Sequence, residues 1–326
     1  MQWPGKVFIT GANGFIGRAL MTHFRASGAQ VCGVDQVPDP EWNVVAGDIA
    51  RSGEWQKQAW GCDLVIHTAA VVSNTAAADL YRAVSIAGVR QVVDAAVRGG
   101  VERMVHLSSI TAYGLDFSSD RDETAPITAL SNCPYCDAKA ASEHVALAAH
   151  ASGELECAIV RPGDVYGPGS RPWVTIPLEL IRRRQFMLPA HGQGIFSPVY
   201  VDNLIDGIVA AATRSEAAGQ IFNLTDGQGV SCYDFFSHHY HWLGRGKPVT
   251  VSTPLAMALT RGAGWFYRRV LQRPTELSAA SVAMLSRRAT YSIDKAARLL
   301  DYEPAVGLEQ GMEQTHRWVR EQGLLS

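Results

Sequence analysis

The sequence predicts an α/β fold, a doubly wound parallel sheet with a smaller C-terminal lobe interleaved into it. Three observations carry this expectation. Short β-branched runs alternate with longer helical patterns through the first half of the chain. A glycine-rich turn follows the first strand and opens the first helix. After Arg161 the rhythm breaks into segments punctuated by Pro and Gly.

In chain order, strands are expected at 6–10, 30–35, 43–46, 64–67, 103–108 and 155–161, with helices between them at 14–27, 52–59, 79–98 and 137–152. That alternation is the signature of a parallel sheet covered on both faces. Further helices are expected near 173–184, 201–214, 231–242, 254–271 and 308–321. Residues 1–165 are assigned to a first domain, to which elements from about 199–224 return, and residues 166–326 mainly to a second lobe. With 326 residues and 47% hydrophobic content the chain can bury a full core. It shows no internal repeat or low-complexity segment, so one two-lobed unit is the simplest organisation.

The 29 Lys and Arg nearly balance 31 Asp and Glu, leaving no basic field to hold a nucleic-acid backbone, and nucleic acid is set aside as a partner. The first residues run directly into an apolar strand without the features of a secretory signal, so a cytoplasmic location is expected. Six scattered cysteines form no disulfide framework, and that location would keep them reduced. No charge-free apolar stretch reaches the length of a membrane span.

Gly11-Ala12-Asn13-Gly14-Phe15-Ile16-Gly17 places glycines where missing Cβ atoms permit a tight turn, let a diphosphate approach backbone N–H groups and bring helix close to strand. A bare structural turn is the competing reading of such a pattern. Asp35 closes the second strand 18 residues after Gly17, where a carboxylate accepts hydrogen bonds from ribose hydroxyls and repels a 2′-phosphate. Residues 36–41 hold no Arg or Lys, so NAD is favoured over NADP as cofactor. Asp48 is equally readable as an adenine partner or as a helix cap or turn residue.

Tyr135 and Lys139 stand four residues apart at the start of an expected helix, hence on one face of it. They lie 26 residues beyond Ser109, which follows the C-terminal edge of the fifth strand, where ligands sit in an open parallel sheet. Alcohol oxidation needs a group that removes the hydroxyl proton, and ketone reduction needs the same group as an acid. Bringing a phenol from about 10 to about 7 takes roughly 4 kcal/mol of phenolate stabilisation. A surface ion pair gives at most about 1 kcal/mol, so Lys139 is expected to act from a desolvated site. Ser109 would donate to the developing alkoxide.

GANGFIG, HTAA (residues 67–70), HLSSITAYG, YCDAK and RPGDVYGPG (residues 161–169), in this order, resemble the extended short-chain dehydrogenase/reductase superfamily across nearly the whole chain. The resemblance implies a Rossmann-type fold, the catalytic set Ser109, Tyr135 and Lys139, and binding of NAD. The implied cofactor contacts are Gly11, Asn13, Gly14, Phe15, Ile16, Gly17, Asp35, Asp48, Ile49, Thr68, Ala69, Ala70, Tyr135 and Lys139. Pro162, Gly163 and Val165 would lie beside the nicotinamide. Ser85 departs from the pattern, since the family usually has Asn there. Homodimerisation through the helices near 79–98 and 137–152 is expected from the resemblance alone.

Nucleotide-sugar epimerases and dehydratases share these motifs, and they are kept as an alternative. Such relatives usually carry an Arg six residues before a late Asp to grip a diphosphate; here Phe196 stands six residues before Asp202, and Asp164 stands near the family's common Asn. FSPVYVDNL, GQIFNLTDG and YSIDKAARLLDYEP resemble the 3β-hydroxysteroid dehydrogenase branch, which implies a hydrophobic secondary alcohol or ketone as substrate. Val71, Thr111, Phe186, Phe196 and Tyr200 are expected at the substrate, with Met187, Trp265, Phe266 and Tyr267 as further apolar lining. A non-catalytic NAD-binding protein is the remaining alternative. The 255–271 stretch mixes aromatics with Arg and reads as an amphipathic surface helix or as a weak membrane-surface contact. Cys133-Pro134-Tyr135-Cys136 spells a dithiol motif familiar from glutaredoxins; inside a dehydrogenase pattern coincidence is the favoured reading, with redox regulation the alternative, in which oxidation would distort Tyr135 between the two sulfurs. His238, His239, His241 and Cys232 match no zinc module, and no metal is expected.

Overall fold

The computed structural model describes residues 3–73, 75–117, 119–128, 130–131, 133–269 and 278–325, with the side chains of 266–268 outside the description. The chain opens with β1 (Lys6–Thr10), α1 (Phe15–Ala26), β2 (Gln30–Asp35), β3 (Val44–Ala46) and β4 (Leu64–His67). The crossover to β5 (Arg103–Leu107) runs through α2 (Ala78–Tyr81), a π turn at Arg82–Ala87 and α3 (Gly88–Gly99). Then come α4 (Pro134–Ala151), β6 (Glu156–Pro162), β7 (Asp164–Tyr166), α5 (Ile176–Arg182), β8 (Ile195–Phe196) and β9 (Pro198–Tyr200). The rest is α6 (Val201–Thr213), β10 (Ile221–Leu224), β11 (Val230–Ser231), α7 (Cys232–Trp242), α8 (Thr253–Arg269), α9 (Ala279–Met284), α10 (Asp294–Leu300) and α11 (Leu308–Glu321).

Seven strands form one parallel sheet in the order β10-β6-β5-β4-β1-β2-β3. Successive residues of β1 point to opposite faces. Val7 and Ile9 join Leu20, Phe24, Leu204 and Ile208 on one side, while Phe8 joins Val65, Val92, Val93 and Ala146 on the other. Every one of these is fully buried, which explains why the strands read as continuous apolar runs. Strand order reverses at β1, where Thr10 is paired with Val34 on one side and His67 on the other. The crevice beyond those three strand ends is where such a sheet accepts ligands.

Differences from the sequence reading have local causes. The helix expected from residue 137 starts at Pro134, because Pro at the first helical position has its φ already set and lacks only an N–H that needs no partner there. The single helix expected over 79–98 is broken by the π turn, in which Ser85 is buried. The 52–59 helix is a 3₁₀ segment, Glu54–Ala59. The two-stranded pairings β7–β9 and β8–β11 and the short helices α9 and α10 were not anticipated, being too brief to show a period. Residues 270 and 271 of the expected 254–271 helix lie outside the described residues. Among the described residues no helix is long and apolar enough to cross a membrane.

The expectation of six reduced cysteines is corrected: Cys133 and Cys136 are joined as a disulfide, while Cys32, Cys62, Cys157 and Cys232 are free and buried.

At Gly17 of α1 an added Cβ would stand 2.1 Å from the carbonyl oxygen of Gly11, in the loop after β1. Gly17→Ala should therefore cost about 1–3 kcal/mol in urea unfolding. An unchanged midpoint would contradict this packing.

Candidate active site

The loop after β1 is shaped by two close approaches. Gly11 has φ +67°, and a Cβ there would lie 2.9 Å from the Ala69 backbone, so this turn is closed to other residues. Thr68 secures the far wall by donating its hydroxyl to the Thr10 carbonyl at 2.7 Å. No side chain caps the first turn of α1, which leaves its leading amides available to an anion. Asp35 accepts from the Asn13 amide at 2.9 Å and the Gln36 amide at 2.7 Å, holding its carboxylate at the rim of the loop. Beside it a cleft of about 570 Å³ is lined by residues including Gln36, Asp48, Leu80 and Val84. Asp48 itself accepts from the Ala50 amide at 3.0 Å, a turn role, and Ile49 is buried against α3.

Ser109 ends the run after β5 as the cap of a short 3₁₀ turn, its oxygen accepting from the Thr111 amide at 3.2 Å. It also stands near enough to the Tyr135 phenol to favour its phenolate. Burial pushes that phenol up to about 12, with Ser109 opposing and the Tyr81 and Asp164 charges adding to the rise. Lys139, one turn further along α4, is buried and donates to the Leu107 carbonyl at 2.9 Å. Burial pulls its ammonium down to about 8, against the attraction of Glu143. Tyr135, Lys139 and Ser109 are thus brought together, but the expected acidification of Tyr135 by Lys139 is not expressed in this geometry, where the ammonium is engaged with β5.

The model of the NAD dependent epimerase/dehydratase family matches residues 7–225. The chain belongs to this family. Its cofactor is NAD, and it is an oxidoreductase of the extended short-chain type. A 3-beta-hydroxysteroid dehydrogenase from Mycolicibacterium neoaurum is 29% identical over 94% of this chain and 89% of that one. Among solved structures, an epimerase from Methanothermobacter thermautotrophicus superposes with TM-score 0.80 at 27% identity, over 98% of this chain and 94% of that chain. MoeE5 in complex with UDP-glucose and NAD gives 0.77 at 25% identity, over 98% and 99%.

Within this family member, the residues that sequence reasoning missed are supporting ones. Glu143 stands one turn beyond Lys139, fully buried, and grips Arg161 with two hydrogen bonds of 2.8 and 2.7 Å. Its Oε1 also accepts from Ser108, the neighbour of Ser109. The four-residue spacing of Tyr135, Lys139 and Glu143 was the available signal. Across the sheet, His67 and His106 stack with centroids 5.2 Å apart. His67 bonds Thr10 at 2.7 Å, and His106 bonds Ser142 at 2.9 Å. Arg18 was also overlooked because cations were sought only after Asp35; it directly follows Gly17. Its guanidinium bonds Asp39 and Asn13, each at 2.7 Å, and lies over the Trp42 ring at 4.4 Å, so Asp39 neutralises it near the glycine loop.

The expected substrate lining is partly corrected. Phe196 is fully buried, stacked on Phe235 at 3.8 Å and edge-on to Trp173 at 4.9 Å. Tyr200 is likewise core, its hydroxyl donating to Gln314 at 2.7 Å. Phe196 is covered by the aromatic cluster of α7, and Tyr200 by Tyr166 and α11, so both pack within the second lobe. Phe186 packs against Phe236 at 4.9 Å and keeps part of its surface, as does Val71. Thr111 is buried beside Ser109 with an unpartnered hydroxyl. Trp265 is exposed, and the side chains of Phe266 and Tyr267 lie outside the description. The second lobe holds a cavity of about 400 Å³ lined by residues including His191, Gln193, Ser252 and Arg288, more polar than the apolar pocket anticipated, and neither Ser109, Tyr135 nor Lys139 borders it. His239 is buried with Nε2 against the Trp173 carbonyl at 2.8 Å. No group of three or more His, Cys, Asp or Glu among the described residues is placed to hold a metal.

Two measurements check this arrangement. Asp35→Ala should raise the NADP-to-NAD ratio of kcat/KM by about tenfold or more, because it removes the charge that repels a 2′-phosphate and leaves Arg18 nearby. Glu143→Ala leaves the Arg161 guanidinium buried without its carboxylate and should cost about 3–5 kcal/mol in thermal or urea unfolding. A loss under about 1 kcal/mol would show that the pair is not buried as described.

Proposed function

We propose that this chain oxidises a hydrophobic secondary alcohol of the 3β-hydroxysteroid or related lipid or terpenoid type, or reduces the corresponding ketone. The observation that carries the reading is the placing of Tyr135 and the buried ammonium of Lys139 one turn apart on α4, with Ser109 near enough to the phenol to favour its phenolate. The glycine cradle at Gly11, Gly14 and Gly17 fits a diphosphate, and Asp35 fits the adenosine ribose. When bound, NAD supplies the hydride acceptor for oxidation.

Tyr135 carries the hydroxyl proton in this reading, and Ser109 holds the substrate oxygen. A phenol at about 12 must be stabilised as phenolate by roughly 7 kcal/mol to work near neutral pH. Lys139 swinging from the Leu107 carbonyl to within about 4 Å of the phenolate contributes on the order of 4 kcal/mol at an effective dielectric near 20. Ser109 already acts in the value of about 12, so the remaining roughly 3 kcal/mol would come from the positive nicotinamide ring of bound NAD. Lys139 therefore acts by moving between strand and phenol.

A nucleotide-sugar epimerase or dehydratase is the second reading, favoured by the likeness to MoeE5, whose structure was solved with UDP-glucose and NAD. Against it, Phe196 occupies the position of the phosphate-gripping Arg and is buried in an aromatic stack. Asp164 is committed to a buried ion pair with Arg287. The intact Tyr135, Lys139 and Ser109 weigh against a purely NAD-binding role.

The test is NADH formation from NAD with a panel of 3β-hydroxysteroids, sterols and terpenoid alcohols. Tyr135→Phe should lower kcat by about 10²–10⁴-fold while the Kd for NAD stays within about twofold. Full activity in that variant would reject Tyr135, and conversion of UDP-sugars without net NADH formation would favour the second reading. Lys139 gives a separate check. Its folded value of about 8 lies below the ordinary 10.5, so burial costs stability while the ammonium is charged. That cost is full below pH 8 and is relieved as the pH rises from 8 towards 10.5. Lys139→Met should raise stability at pH 7 by roughly 1–3 kcal/mol while abolishing turnover, and the gain should shrink above pH 8.

A further inference from the structure

Tyr135 lies inside a disulfide loop. Cys133 is the cap residue of α4, Pro134 is its first helical residue, and the bridge closes from Cys133 to Cys136 around the phenol-bearing residue. Both residues are buried, Cys133 the less completely. Cys133 retains 6% of its surface and Cys136 none, while Pro134 and Leu130 beside them are exposed. The Cys133 sulfur also accepts the Cys136 amide at 3.4 Å, at the positive end of an 18-residue helix. An amide donor and the helix end both favour a thiolate, the form that attacks disulfides. The remaining four cysteines are buried away from this turn.

We propose that Cys133 and Cys136 form a thiol–disulfide exchange site, open to low-molecular-weight disulfides and thiols of the glutathione type, whose oxidised state holds Tyr135 in register. Oxidation starts with the Cys133 thiolate attacking one sulfur of the small disulfide, which forms a mixed disulfide and expels one small thiolate. Cys136 then gives up its proton and attacks the Cys133 sulfur, closing the bridge and expelling the second thiolate. The two protein thiols are oxidised, the small disulfide is reduced to two thiols, and the protons pass to the expelled thiolates. Reduction runs the same steps backwards, with entry at Cys133.

The consequence for turnover rests on the reading of Tyr135 as the proton-transferring residue. The bridge fixes the backbone on both sides of residue 135, and opening it restores freedom that must be lost again at each alignment with Ser109. Opening also places a thiolate at Cys133, whose negative charge disfavours a phenolate nearby. Both effects act in one direction, so the reduced chain is the slower enzyme.

The experiment equilibrates the full chain across mixtures of reduced and oxidised glutathione, then maps differentially alkylated peptides by mass spectrometry and assays NADH formation with a 3β-hydroxysteroid. Cys133 and Cys136 should change together by two hydrogens while Cys32, Cys62, Cys157 and Cys232 do not. The kcat should fall about fivefold on reduction and recover on reoxidation. The double variant Cys133→Ser with Cys136→Ala should show one rate at every mixture. If the pair stays as two thiols in oxidised glutathione, or stays closed in reduced glutathione, the site is overturned. If the double variant responds to the mixtures as the unaltered chain does, the link to turnover is overturned. Absence of steroid turnover would count against the functional reading alone, because the alkylation map reads the exchange without any substrate.

Discussion

The active-site arrangement depends on one buried carboxylate. Glu143 lies under α4 with no exposure, and its two oxygens bind Arg161 from β6 and Ser108 from the end of β5. A charge in that position is tolerable only while both partners are in place. The helix is therefore held in one rotational setting, since turning it by one residue, about 100°, would carry Glu143 away from both. Lys139 and Tyr135 share the face of Glu143, about one and two turns respectively towards the start of the helix. What appears as a catalytic motif is the outer end of a face whose inner end is fixed by an ion pair. Arg161 in turn leads into Pro162 and Gly163, so the same contact sets the segment placed beside the nicotinamide by family resemblance.

The polar interior continues on the other side of Lys139. His67 and His106 are stacked between Thr10, which precedes the glycine loop, and Ser142, whose hydroxyl donates to the Lys139 carbonyl at 2.7 Å. Burial pulls His67 down to about 3, with the Lys139 charge acting in the same direction, and His106 is lowered for the same reasons. Two neutral rings thus connect the glycine loop to α4 without adding positive charge beside an ammonium that burial already disfavours. A charged side chain in either place would press Lys139 further towards its neutral form, in which it could no longer stabilise a phenolate.

Much of this was legible in the sequence, because the determining features are local. The glycine spacing, the acidic end of the second strand and the Tyr-x-x-x-Lys spacing each act within one turn or one strand, and β1, β2 and β4 fall at the expected residues. The start of α4 was missed by three residues, because Pro134 at the first helical position was not used as a start signal. The ion pairs were not legible, since Glu143 with Arg161 and Asp164 with Arg287 join elements whose packing no periodicity specifies. Phe196 and Tyr200 were assigned to a ligand because they are aromatic and stand near a family motif. Their burial depends on elements far along the chain, Phe196 on Phe235 and Phe236 of α7 and Tyr200 on α11.

The second lobe shows how one scaffold can change what it accepts. Gripping a diphosphate requires cationic charge that the protein has not already spent. At β7 the Asp164 carboxylate accepts from the Ser197 amide at 3.0 Å and pairs with Arg287, and both side chains are buried. Burial raises Asp164 while Arg287 opposes the rise, so the two charges hold each other in place. Removing either partner would leave the other buried and unpaired, at a cost larger than the net worth of the pair. A guanidinium held this way still offers a hydrogen bond, its Nη1 being unpartnered, but it carries no spare charge for a phosphate. A neutral hydroxyl or ketone on an apolar body makes no such demand, so the closed pair excludes little that a steroid-like substrate would need.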